Sequence, residues 1–109
     1  MDLNGYRIMW LFVFFDLPTN TKRDRKNAAL FRKNLLKNGF SMMQYSVYMR
    51  HCASSESADV HEKRIQIVLP PFGKVSVLRV TDKQYGNIMN FWGKAAAPKE
   101  PSPMQLELF

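Results

Sequence analysis

The segment Tyr6 to Phe15, YRIMWLFVFF, is apolar on both of its alternating faces and rich in aromatics. It constrains the fold more than any other stretch. A strand with one wet face alternates apolar and polar residues, so this one reads as covered on both sides or central in a sheet. Its apolar run lies between Arg7 and Asp16, far short of the roughly 20 residues that span a bilayer as a helix. No signal-peptide pattern precedes it, and cytoplasmic residence without a membrane partner is the default expectation. A chain of 109 residues has room for one core around such a strand and not for two.

Leu17-Pro18-Thr19-Asn20 breaks the strand. Thr21 followed by Asp24 predicts an N-cap with an acid in the first turn. The helix KRDRKNAALFRKNLLK then stops at Asn38-Gly39, a left-handed C-terminal signal. Ala28, Phe31 and Leu35 stack into its core face, while Lys22, Lys26, Lys33 and Lys37 gather on a different arc. Ser41 to Arg50 (SMMQYSVYMR) alternates and reads as a half-buried strand, with Met43, Tyr45, Val47 and Met49 on one side. Ser54 or Ser55 caps a second helix with Ala58, His61, Ile65 and Val68 as its inner stripe, and Pro70-Pro71 ends it.

Lys74 to Val80 (KVSVLRV) and Gln84 to Trp92 (QYGNIMNFW) are two further strand candidates, joined by Thr81-Asp82-Lys83 as a short hairpin connection. The simplest packing is α+β: an antiparallel sheet with two helices on one face, the ferredoxin-like βαββαβ arrangement. A bend within Ser41 to Arg50 changes how the strands pair. Residues 1–93 form this domain, and 94–103 (KAAAPKEPSP) is a stiff Pro-rich linker. Residues 104–109 then return to alternation, with Met104, Leu106, Leu108 and Phe109 as the apolar positions. Such a tail seeks a sheet edge, its own or a second copy's, and the expectation is a homodimer with exchanged C-terminal strands.

Sixteen Lys and Arg against nine Asp and Glu give a net charge of +7, which favours a polyanionic partner. The excess is concentrated in the first helix. Lys22, Arg23, Arg25, Lys26, Arg32, Lys33 and Lys37 are opposed there only by Asp24, and Arg50 follows on the next strand. Such residues contact phosphates without reading bases, which gives steep salt dependence and little sequence preference.

Asp16 directly follows the apolar strand. It either caps the turn or pairs with a nearby arginine, or it binds Mg²⁺. The second role needs more than one carboxylate or phosphate oxygen, and so a second chain across a two-fold axis. Asp2 and Asp24 are nearby alternatives, although Asp24 suits a first helical turn. Cys52 is the only cysteine, and His51-Cys52 has no cluster that would complete a zinc site. His61 on an apolar face reads as an interior histidine, and the serines read as strand and cap residues.

The strand YRIMWLFVFFDLP ending in Asp16, the basic helix KRDRKNAALFRKNLLKNGF and the following SMMQYSVYMR together resemble the CRISPR-associated protein 2 family over Tyr6 to about Trp92. The terminal QLELF resembles the tail of members that accompany type II, single-effector systems. The resemblance implies a ferredoxin-like homodimer that bridges dimers of the integrase, CRISPR-associated protein 1, with protospacer double-stranded DNA lying across it. It implies the type II effector nuclease as a further partner. It also implies a metal-dependent endonuclease acting on single-stranded RNA or double-stranded DNA, in which Asp16 of each subunit flanks a Mg²⁺ ion. Many members carry a Tyr before or near that Asp, where this chain has Phe14-Phe15 and no hydroxyl.

Overall fold

A computed structural model of the protein describes residues 8–95. The expected tail strand 104–109, most of the linker and the first residues of the apolar segment lie outside that range. Four strands form one antiparallel sheet: β1 (Met9–Asp16), β2 (Ser41–Gln44), β3 (Val47–Cys52) and β4 (Lys74–Thr81), in the spatial order β2-β3-β1-β4. Two helices, α1 (Lys22–Lys37) and α2 (Ser55–Ile67), complete the ferredoxin-like βαββαβ sequence of elements. The strand expected to be central is central, with β3 and β4 on its two sides. No helix among the described residues is long and apolar enough to cross a membrane.

The alternation of β1 decides which face meets the helices. Leu11, Val13 and Phe15 join Tyr48 and Cys52 from β3, Phe31 and Leu35 from α1, and Ala58 and Ile65 from α2 in one buried cluster. Phe15 meets Phe31 edge to face, with ring centroids 5.2 Å apart, a geometry that adds to the area term. α1 begins with a full capping box between Thr21 and Asp24. It ends at Asn38, followed by Gly39 at φ +83°, where any Cβ would overlap the Arg50 guanidinium. α2 is capped by Ser54, whose hydroxyl accepts from Ser57 N–H at 3.0 Å. Arg79 ties β4 to α2 through Asp59 at 2.7 Å and Glu62 at 2.9 Å.

Two expectations are corrected. Ser41 to Arg50 is not one strand but a hairpin in which Tyr45 and Ser46 turn the chain between Gln44 and Val47. Ser46 takes the left-handed conformation at φ +63°, unusual outside Gly, Asn and Asp. The segment's contribution to the core is therefore Tyr48, with Tyr45 exposed in the turn. Gln84 to Trp92 is not a strand either. Thr81 and Gln84 form a reciprocal capping box, with bonds of 2.9 and 3.1 Å, that starts the short helix α3 (Asp82–Gly86) where a hairpin connection was expected. Trp10 holds this turn by donating Nε1–H to Asp82 Oδ1 at 2.8 Å and stacking on Tyr85 at 3.7 Å.

His61 is 6% exposed, as its place on the inner stripe of α2 requires. Its Nδ1 has no hydrogen-bond partner among the described residues. Burial, then the charges of Arg50 and Arg64, hold its pKa below the ordinary histidine value. Above about pH 6.5 both folded and unfolded states are neutral at this site, and it costs nothing. As pH falls through that value the unfolded chain takes the proton and the folded one resists, so stability is lost, by at most about 1.4 kcal/mol per pH unit. Urea midpoints are expected to fall between pH 7 and pH 5, and to fall less in His61→Gln. Parallel profiles for the two proteins would remove His61 as the cause.

Candidate functional site

At roughly 100° per residue, Lys22, Lys26, Lys33 and Lys37 occupy a narrow arc of α1 about 180° from its core stripe. All four are exposed, as is Arg23 beside them. They point away from the sheet because Ala28, Phe31 and Leu35 are the helix's buried residues. Lys22, Arg23, Lys26 and Asn27 also line a shallow depression at the start of the helix. The only ion pairs among the described residues belong to Arg79, so none of these five cations is neutralised there.

The other two predicted phosphate contacts differ. Arg25 donates from Nη1 to the Thr19 carbonyl at 3.0 Å, bracing the loop before the helix. Arg32 is half-buried beside Tyr48. Burial raises the pKa of that phenol, and the Arg32 charge offsets part of the rise. Arg50 is turned to the helix side, under Gly39 and close to Cys52 and His61. It belongs to the interior rather than to the basic stripe.

Asp16 is exposed at the end of β1, on the sheet face opposite α1 and α2. Phe12 and Phe14 lie on the same face and, with Met43, Val47, Leu78, Val80 and Ile88, line an open apolar groove of about 250 Å³. Around Asp16 the surface becomes polar. Ser46, Lys74 and Ser76 share with it a second depression, of about 290 Å³. Gly73, at φ +101°, packs on this strand end, and a Cβ there would stand 2.7 Å from both the Asp16 carbonyl oxygen and Leu17 Cδ2.

One chain's residues do not fit a hard divalent cation at this place. No group of three His, Cys, Asp or Glu side chains that could hold a metal exists among the described residues. Asp24 is engaged in its capping box and Asp82 by Trp10. Asp82 is also near the opposite end of β1, level with Ile8 and about 26 Å away along the strand. Asp2 lies outside the described residues. The sequence reading missed Lys74, because only the pairing of β1 with β4 brings it opposite Asp16.

The family model described as CRISPR associated protein Cas2 matches residues 9–88. The chain is similar to a protein of Flavobacterium psychrophilum named CRISPR-associated endoribonuclease Cas2, at 53% identity over 98% of this chain and 93% of the relative. Proteins of the same name from Parvibaculum lavamentivorans and Paracidovorax avenae are 54% and 45% identical, over 93% and 98% of this chain and 100% and 99% of their own lengths.

Proposed function

The chain belongs to the CRISPR-associated protein Cas2 family, and from that premise we propose that it serves spacer acquisition as a homodimeric, DNA-bridging subunit. It binds protospacer double-stranded DNA through its phosphate backbone and joins dimers of the CRISPR-associated integrase, with the type II effector nuclease as a further partner. The observation that carries this reading is the division of the domain into two unlike surfaces. An exposed basic stripe covers the helix side, suited to phosphates. A partly open apolar sheet face, with α3 over only its Trp10 end, lies on the other, suited to a second copy. Residues 104–109, which lie outside the described residues, are expected to exchange onto an exposed sheet edge of the second copy.

The second reading rests on the relatives' name, endoribonuclease. It is Mg²⁺-dependent cleavage of single-stranded RNA or double-stranded DNA, with Asp16 supplied by both subunits. It requires association through the sheet face, since Asp16 lies at the end of that face and is the one carboxylate among the described residues that line the depression there.

One experiment separates these readings. The wild-type chain, Asp16→Ala and a chain lacking residues 104–109 are examined by native mass measurement, alone and with integrase and duplex. Cleavage is followed in the same samples. The bridging reading expects a dimer that joins integrase and duplex with or without Asp16, and a weaker dimer without the tail. A monomer that leaves integrase and duplex apart would end it, whereas cleavage that disappears with Asp16 would establish the second reading.

A further inference from the structure

Asp16 and Lys74 are the last register pair of β1 with β4. Residues directly opposite in an antiparallel pair point to the same face with Cβ atoms about 5 Å apart. The ammonium therefore stands on the same side of the sheet end as the carboxylate, although the two form no ion pair, those among the described residues all belonging to Arg79. Both side chains line the same depression, with the hydroxyls of Ser46 and Ser76 as its other polar groups. Gly73 fixes this arrangement. At its left-handed φ a Cβ would stand 2.7 Å from the Asp16 carbonyl oxygen, so the absence of a side chain lets the chain pass this close to the end of β1. The depression thus holds one negative and one positive charge, where a cation site would gather several oxygens of negative charge.

We propose that Lys74, the register partner of Asp16, keeps divalent metal ions away from this carboxylate by through-space repulsion, without an ion pair between the two. A metal ion bound there brings two positive charges close to the ammonium. Coulomb's law at that separation, even in a water-like dielectric, lowers metal affinity by about tenfold. Lys74 is exposed and is the first residue of its strand, so changing its side chain leaves the core packing untouched.

The test is Mn²⁺ titration calorimetry at low ionic strength on the full chain. It compares the wild type, Lys74→Gln, Lys74→Arg and the double variant Asp16→Asn with Lys74→Gln. Lys74→Gln is expected to bind Mn²⁺ about tenfold more tightly than wild type, Lys74→Arg to match wild type, and Asp16→Asn to erase the gain. Equal affinities for wild type and Lys74→Gln, including no binding by either, would overturn the proposal. So would tightening in Lys74→Arg, or a gain that survives Asp16→Asn. No nucleic acid enters the measurement, so its result is separate from whether the chain cleaves one.

Discussion

Replacing Lys22, Lys26, Lys33 and Lys37 together by glutamine is expected to lower affinity for duplex DNA on the order of a hundredfold near physiological salt. The slope of log affinity against log salt is expected to fall by about 0.9 for each lysine lost, about 3.6 in all. Fluorescence anisotropy across a salt series reads both quantities. The four side chains are exposed and none is in an ion pair among the described residues, so the fold should be retained. Glutamine at Arg25 or Arg32 provides the contrast. These residues brace the Thr19 carbonyl and sit beside Tyr48, and their loss should affect thermal stability more than salt slope. An unchanged slope in the quadruple variant would move the DNA off α1.

Truncating Phe31 to alanine is expected to cost about 3–5 kcal/mol, the sum of lost transfer energy and the cavity left behind. For a domain of this size that corresponds to a Tm reduction on the order of 20 °C. Phe31 is 1% exposed and is the largest of only three buried residues on α1, the others being Ala28 and Leu35. Its edge-to-face contact with Phe15 links the helix to the central strand. Docking of the basic stripe and stability of the core therefore depend on the same ring. A melting temperature within a few degrees of wild type, measured by circular dichroism, would show that something other than this contact holds α1.

The elements legible in the sequence were those whose ends and faces are written locally. Thr21 with Asp24, Asn38 with Gly39 and the stripe of Ala28, Phe31 and Leu35 sit within one helix, and short-range chemistry specifies all of it. The Tyr45-Ser46 turn was hidden because Tyr45 favours strands and the apolar alternation of Met43, Tyr45, Val47 and Met49 continues through it. Thr81 and Gln84 did carry a legible capping box, but aromatic and β-branched neighbours favoured a strand in its place. Lys74 could not be recognised beside Asp16 at all. That juxtaposition depends on the register between the first and last strands, which no local pattern encodes. The division of the seven basic residues into exposed and braced groups likewise needed the positions of Thr19 and Tyr48.

The place of β1 also governs how the chain is made. It leaves the ribosome before the other described strands, yet one of its two neighbours is β4, with Met9 paired to Thr81. At roughly 5–20 residues per second, the intervening stretch takes several seconds to synthesise. Throughout that interval MWLFVFF lacks a partner along one edge, and it has the uncharged, aromatic and β-prone character of segments that self-associate. Recovery of this protein from cells should therefore respond to translation speed and chaperone supply, even in variants whose finished fold is fully stable.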